Sequence, residues 1–310
     1  MSNVTHAPTD ADSARIATSE TRVRHLTHPT WWLGGVIVLA LIASFLHLLF
    51  TNENMKWDVV GEYLFHPEIL HGLWVTIELT FLAMVIGLVL GVILAIMRLS
   101  RNPLFSAVSW LWVWFFRGVP PLVQMIFWFN LATLIPETKL GVPFSGITWA
   151  SWDTNTLMTP FSAAILGLAL TESAYAAEMI RAGIMAVPRG QVEAASALGI
   201  SSGKVTIRIV LPQALRIVIP PIGNDLISML KFTSLVSVLA TPDLLYSAQM
   251  IYSRNYQTIP LLLVATLWYL VLTTVFTLAQ QTVERKVHDR PLIPVQKLTF
   301  NPFGARKVVS

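Results

Sequence analysis

The sequence predicts an all-α membrane protein with six transmembrane helices. Of its 310 residues, 54% are hydrophobic and only 12% are charged, whereas soluble domains carry about 25% charged residues. The charged residues cluster between long apolar runs, and a spanning helix needs about 20 mostly apolar residues. The net charge of +4 comes from Lys and Arg that flank these runs, as in membrane proteins, and does not indicate nucleic-acid binding.

Six apolar runs are long enough to cross a bilayer. They are Trp31–Phe50, Leu73–Met97, Leu104–Thr133, Phe161–Ile180, Ile209–Ala240 and Leu261–Gln280. The third and fifth runs contain Pro120–Pro121 and Pro220–Pro221, which predict kinks or breaks. The first run starts late for a signal peptide and no small-residue cleavage pattern follows it, so we interpret it as a retained helix.

The distribution of basic residues predicts the orientation. With the N-terminus in the cytoplasm, sixteen of the 21 Lys and Arg residues fall on the cytoplasmic side and three on the outer side. Because cytoplasmic loops of membrane proteins are enriched in Lys and Arg, we expect both termini in the cytoplasm. Residues 1–30 are polar and without apolar periodicity, which predicts a disordered cytoplasmic tail, and residues 286–310 are interpreted as a second cytoplasmic tail.

Two loops on the outer side, residues 51–70 and 134–160, are longer than minimal connections and rich in Pro, Gly, Asn, Asp and Trp. They are consistent with an interfacial cap or docking surface. They are equally consistent with irregular linkers whose Trp side chains lie at headgroup level.

A cytoplasmic loop at residues 186–212 carries the most informative pattern. It contains Glu-Ala-Ala, three residues, Gly, nine residues and Ile-x-Leu-Pro; the fixed positions are Glu193, Ala194, Ala195, Gly199, Ile209, Leu211 and Pro212. Good helix formers precede Gly199, glycine permits a turn with positive φ, and Ser201 and Ser202 favour a new helix start. The loop therefore predicts two short helices joined by a stiff turn.

This pattern resembles the coupling loop of ATP-binding-cassette importer permeases. Residues 70–285 resemble the polar amino acid uptake permeases of the five-helix type I importer fold, through the stretches 116–124, 174–184, 219–224 and 230–235. Val119 and Ala182 stand where that family usually has Thr and Gly. The resemblance implies a five-helix core plus an extra N-terminal transmembrane helix at residues 31–50.

The resemblance also implies the partners and the location of the protein. They are a cytosolic ATPase dimer, a second permease subunit that is identical or different, an extracytoplasmic solute-binding protein, and a polar amino acid as substrate, all at a bacterial inner membrane. The chain lacks a phosphate-binding Gly-x4-Gly-Lys-Ser/Thr loop. We therefore expect ATP and magnesium on the partner ATPase, and no cofactor, metal or catalytic residue on this chain.

Polar residues within the apolar runs are candidates for the transport pathway, because a charge at mid-bilayer costs about 2.5–3.5 kcal/mol on insertion scales and usually faces the bundle interior. The candidates are Glu172, Tyr175, Arg117, Lys231, Thr233, Ser234 and Asn224. Asp225 and Glu78 are further ionisable residues in these runs. A second interpretation is structural, in which Lys231 and Glu172 pair with each other or with backbone carbonyls.

Other classes of transporter remain alternatives. A proton-coupled secondary transporter could use Glu172 or Lys231, but it would need internal repeats, and the sequence shows none. A channel, like the secondary transporter, leaves the loop around Gly199 unexplained.

The charge asymmetry gives a labelling prediction. A cysteine at Asn52 should react with an impermeant thiol reagent in intact cells, and a cysteine at Ser202 should react only after the cells are opened. The protein has no native cysteine, so the unmodified chain is the control. The reverse labelling pattern would overturn the orientation.

Overall fold

The computed structural model describes residues 29–142, 145 and 147–288. The described residues fall into two units, divided between Met55 and Lys56. The first contains α1 (Pro29–Thr51) and a 3₁₀ turn (Glu53–Met55), and no residue of its spanning window is buried. The remaining elements belong to the second unit. The predicted tails lie outside the described residues, apart from 29–30 and 286–288.

The second unit is built mainly from helices. They are α2 (Trp57–Tyr63), α3 (Pro67–Leu99), α4 (Pro103–Gly118), α5 (Pro121–Phe129), α6 (Leu131–Leu134), α7 (Thr154–Leu157), α8 (Pro160–Met185), α9 (Arg189–Ala197), α10 (Ser202–Val205), α11 (Leu211–Phe232), α12 (Leu244–Asn255) and α13 (Thr258–His288). A π-helical turn (Thr206–Val210) precedes α11 and a 3₁₀ segment (Thr233–Leu239) follows it.

Five helical segments are long and apolar enough to cross a membrane, and each overlaps one of the six predicted runs. They are Trp32–Thr51, Pro67–Leu99, Pro160–Met185, Ser202–Leu239 and Thr258–Val287. The remaining predicted run, Leu104–Thr133, is not one helix in the structure. It is divided between α4 and α5, so six continuous spanning helices are not confirmed.

The break between α4 and α5 has a local cause. Pro120 follows Val119, whose backbone is extended with φ −97° and ψ 128°, as expected of a residue before proline. The Gln124 side chain then donates hydrogen bonds from Nε2 to the carbonyls of Phe116 (3.1 Å) and Val119 (2.9 Å). These bonds satisfy two carbonyls that the interrupted helix leaves free, which a membrane-buried backbone requires.

In the second unit, α3 and α8 pack closely against each other through small residues. A Cβ added at Gly91 would lie 2.6 Å from the Ala176 Cβ, and one at Gly87 would lie 2.5 Å from the Glu172 Cγ. Small residues spaced four apart allow membrane helices to approach at backbone distance. The contact fixes the position of Glu172, because its side chain lies directly against α3.

The start of α12 is anchored in the core by Asp243. Its buried carboxylate accepts hydrogen bonds from the backbone N–H groups of Leu245 (3.2 Å) and Tyr246 (3.0 Å), and Thr76 of α3 accepts one from the N–H of Leu244 (3.0 Å). Burial raises the pKa of Asp243 to about 6, while the bonds from Tyr246 and Leu245 act in the opposite direction. The N-terminus of α12 is therefore tied to α3.

The outer loop at residues 134–160 contains regular structure that the all-α prediction missed. Strands β1 (Glu137–Gly141) and β2 (Thr148–Asp153) pair antiparallel, with Glu137 opposite Asp153. The side chains of Trp149 and Trp152 are exposed. Short strands within a long loop lack the long alternation that marks a strand in sequence, so the irregular-linker alternative was wrong for residues 137–141 and 148–153.

The α3–α8 contact gives a stability prediction. Gly91→Leu should force these helices apart and lower the thermal midpoint of the purified protein, because overpacking a tight interface typically costs 1–3 kcal/mol, taken as about 2 kcal/mol. Gly61→Leu is the matched control, since a Cβ there has no atom within 4 Å. Equal midpoints for the two variants, measured by a thiol-independent dye or by light scattering, would contradict the assigned contact.

Candidate functional site

The loop at residues 186–212 forms the two short helices that the sequence predicts. α9 ends at Ala197, and Gly199 adopts a φ of +75°. The Gly199 N–H donates to the Ser196 carbonyl (3.0 Å), and the Ile200 N–H donates to the Ala195 carbonyl (3.1 Å). This pair of bonds is the Schellman motif, in which a left-handed residue closes a helix. The turn at Gly199 is therefore fully hydrogen-bonded and stiff.

One face of the loop is buried and the other is exposed. Ala195 packs into a small apolar cluster with Val187, Val205 and Val210. On the opposite side the Leu198 side chain is 80% exposed, and Glu193 is also exposed. A large apolar side chain at the tip of a cytoplasmic loop, next to an exposed carboxylate, is typical of a surface that another protein covers.

The loop is linked directly to α11. Gln213, in the first turn of α11, donates from Nε2 to the Gln191 Oε1 (2.6 Å) and to the Ile209 carbonyl (2.8 Å). Leu211 and Pro212 form the first turn of the helix. A side-chain hydrogen bond therefore joins α9 to α11 in addition to the chain itself. Neither glutamine was among the residues selected from the sequence.

Four of the seven pathway candidates lie along α11 and its 3₁₀ extension. Asn224 and Lys231 are exposed on the second unit, and Ser234 is half-buried. Thr233 is fully buried, with its hydroxyl donating to the Leu230 carbonyl (2.7 Å), so this fourth candidate does not line the same face. Exposed polar groups on a spanning helix are unfavourable against lipid, which favours a water-filled path or a second subunit beside this face.

Glu172 lies in the core among α3, α8 and α11. Only 4% of the residue is exposed, and Asp225 on α11 is close enough to interact with it electrostatically. No described residue donates a hydrogen bond to Glu172 Oε1 or Asp225 Oδ2. The ion pairs found among the described residues join Lys139 to Glu137, Arg181 to Glu178, and Arg254 to Glu68. The alternative interpretation, in which Lys231 pairs with Glu172, is therefore not matched by an ion pair in this part of the chain.

Arg117 and Tyr175 form a separate group. The Arg117 guanidinium carbon lies 5.1 Å from the centre of the Tyr175 ring, a distance typical of a cation–π contact. Both residues line a cavity of about 500 Å³ together with Glu178 and Arg181. The structure thus brings these two candidates to one another, in a cavity whose lining does not include Lys231, Asn224 or Glu172.

Hydrogen bonds from Gln280, here called the Gln280 clamp, hold α11 near its proline pair and were not predicted. The Gln280 Nε2 on α13 lies within hydrogen-bond distance of Glu284 Oε1 (2.7 Å), Asn224 Oδ1 (3.2 Å) and the Pro220 carbonyl (3.3 Å). Prolines at 220 and 221 remove two backbone donors from the helix. α11 nevertheless stays helical from Leu211 to Phe232. A polar amide inside the last apolar run was the sequence signal that could have identified this contact.

Several spanning helices, a proline-broken segment and a stiff cytoplasmic loop define an integral membrane transport subunit. A family model described as the binding-protein-dependent transport system inner membrane component matches residues 87–289. The chain belongs to this family. It is a multi-pass membrane subunit of an ATP-binding-cassette transporter, with ATP hydrolysis carried by a separate subunit.

Similar proteins include amino-acid permeases. The chain is 44% identical to the arginine transport system permease protein ArgU of Corynebacterium glutamicum, over 84% of this chain and 81% of the relative. It is 34% identical to the L-cystine transport system permease protein TcyB of Bacillus subtilis, over 75% of this chain and 92% of the relative. A crystal structure of an amino acid ABC transporter with histidines matches with 33% identity and a TM-score of 0.62, over 74% and 98% of the two chains.

The turn at Gly199 gives a prediction about coupling to the ATPase. Gly199→Val should leave the subunit inserted but lower substrate-stimulated ATP hydrolysis, because a left-handed conformation costs an L-residue about 1–2 kcal/mol. Glu193→Lys, which reverses the exposed charge, should weaken binding of the ATPase. Gly190→Val is the control, since a Cβ there also meets no atom within 4 Å and its φ is not positive. Normal stimulated hydrolysis in both test variants would refute the role of the loop.

Proposed function

We propose that this chain is the permease subunit of an amino-acid importer whose preferred substrates carry a cationic side chain, arginine first. The proposal rests on two supports. The relative from Corynebacterium glutamicum, 44% identical over most of both chains, is an arginine transport system permease. The second support is the acidic pair formed by Glu172 and Asp225.

The acidic pair is the observation that carries the proposal. Glu172 on α8 and Asp225 on α11 interact electrostatically, and each has a buried oxygen that accepts no hydrogen bond from the described residues. An unpaired carboxylate away from water is costly, and a guanidinium or ammonium group is the partner that best offsets this cost. A cationic amino acid passing this point would supply the missing charge.

Lys231 supplies a positive charge for the α-carboxylate of the substrate. It lies six residues after Asp225, or about 9 Å along the helix axis at 1.5 Å per residue, and its exposed side chain carries a positive charge on the polar face of α11. An ammonium group at this position would attract the α-carboxylate of a substrate. The substrate would then meet Lys231 from the outer side before reaching the acidic pair, with Asn224 on the same face.

The remaining subunits follow from the family and the loop geometry. A cytosolic ATPase dimer would bind the exposed face around Leu198, hold ATP and magnesium, and move α11 through the hydrogen bond between Gln191 and Gln213. A second permease, identical or different, would complete the path beside α11. An extracytoplasmic binding protein would deliver the substrate at a bacterial inner membrane, with both termini of this chain in the cytoplasm.

The test is uptake by the reconstituted complex with arginine, lysine, glutamine and cystine. Arginine and lysine should be carried, and Glu172→Gln and Asp225→Asn should reduce their uptake about tenfold or more, because removing one partner of a buried charge pair, here the carboxylate that faces the substrate cation, typically costs about 2–5 kcal/mol. Lys231→Met should reduce uptake of every amino acid that the complex carries. Glu62→Gln, an exposed glutamate on α2, is the control.

Two results would contradict the proposal. Efficient glutamine uptake that arginine does not inhibit would exclude a cationic substrate. Normal arginine uptake by Glu172→Gln at normal complex yield would show that the buried acid only packs the helices.

A further inference from the structure

The basic cavity lined by Arg117 and Tyr175, two of the seven pathway candidates, is not explained by amino-acid import. It has a volume of about 500 Å³ and lies against three helices, with Arg98 from the last turn of α3, Arg117 from α4 and Arg181 from α8. Trp110 and Trp114 of α4 form another part of its wall. Three guanidinium groups around one cavity are unfavourable without an anion.

The protein neutralises only one of the three charges. Glu178 is the one carboxylate in the cavity lining, and it is held by Arg181 through contacts of 2.7 and 3.1 Å. Arg98 donates to the Ser106 carbonyl (3.1 Å), which leaves its charge uncompensated, and Arg117 lies over the Tyr175 ring. The described lining therefore carries a net charge of about +2, counting three arginines and one glutamate as ionised.

The tryptophans indicate where this cavity lies relative to the membrane. The Trp110 and Trp114 rings are stacked with centroids 6.3 Å apart, and both are more than half exposed, at 51% and 61%. Leu111 on the same helix is also exposed. Exposed tryptophan beside arginine is typical of the membrane–water interface, and the orientation proposed above places Arg98 and Arg181 on the cytoplasmic side.

We propose that this cavity binds the headgroup phosphate of an anionic phospholipid of the cytoplasmic leaflet. Arginine binds phosphate oxygens through paired N–H donors, and basic pockets between spanning helices on the cytoplasmic side bind anionic headgroups. The acyl chains would lie along the exposed apolar face of α4, beside Leu111 and Trp114. A cationic amino acid would be repelled by the same cavity, so the site is distinct from the acidic pair around Glu172.

The site lies close to the coupling loop along the chain. Arg181 is in the last two turns of α8, which ends at Met185, and α9 begins at Arg189. A bound phosphate would join the ends of α3 and α8 to α4 and hold the start of the loop in place. The rate of ATP-driven transport should therefore increase with the anionic lipid content of the membrane.

The experiment uses the assembled complex in nanodiscs of phosphatidylcholine, with and without phosphatidylglycerol. Phosphatidylglycerol retained by the complex is measured by native mass spectrometry, together with ATP hydrolysis. Arg98→Gln should bind phosphatidylglycerol about fivefold more weakly, as expected for loss of one arginine near an anionic lipid, and should lose most of the lipid stimulation. Arg98→Lys, which keeps the charge, should retain much of both.

Arg101→Gln is the matched control, because Arg101 is an exposed arginine three residues away that is not part of the cavity lining. It should behave like the unmodified complex. Equal lipid retention by Arg98→Gln and the unmodified complex would overturn the proposal. Full stimulation of ATP hydrolysis by inorganic phosphate in pure phosphatidylcholine would also overturn it, because that result indicates a free-anion site. A cross-link from Trp114→Cys to the second permease would overturn it too, because a protein and not a lipid would then cover this face. Arginine uptake is scored separately, so these outcomes do not depend on the substrate proposal.

Discussion

The close approach of α3 and α8 is the contact on which both functional regions depend. Gly87 and Gly91 leave no side chain between the two backbones, so α8 is held at a distance set by Glu172 and Ala176. Glu172 lies at the middle of α8, and the cytoplasmic end of the same helix leads into α9. Lipid offers little hydrophobic driving force between helices, so close packing of this kind contributes much of the free energy of helix association.

The features that were predictable from sequence are those with a local cause. Gly199 needs a positive φ to end α9, and its φ of +75° confirms the predicted turn. The ring of Pro120 disfavours the helical conformation at the residue before it, and Val119 is extended as a consequence. Five of the apolar runs form long helices because length and hydropathy decide whether a segment can span a bilayer. Each of these features depends only on neighbours within a few residues.

The features that escaped sequence reasoning depend on how helices are rotated against one another. Lys231 and Glu172 are both costly charges in a membrane, and pairing them was reasonable. The rotation of α11 instead turns Asp225 toward Glu172 and leaves Lys231 exposed. Gln124 donates to the Val119 carbonyl at the break between α4 and α5, and Gln280 donates to the Pro220 carbonyl, 60 residues away along the chain, within the continuous helix α11. The periodicity of apolar residues shows which face of a helix is buried, but it does not show which neighbouring helix that face contacts.

The Gln280 clamp has a mechanical consequence for α11. The clamp holds the helix at Pro220 and Asn224, and Gln213 joins the N-terminal end of the helix to α9. At 1.5 Å per residue, the arm from Gln213 to Pro220 is about 10 Å and the arm from Pro220 to Phe232 about 18 Å. A rigid helix turning about this fulcrum would nearly double, at its outer end, any displacement applied at the cytoplasmic end. The unequal arms would let a small stroke of the ATPase produce a wider opening at the outer surface.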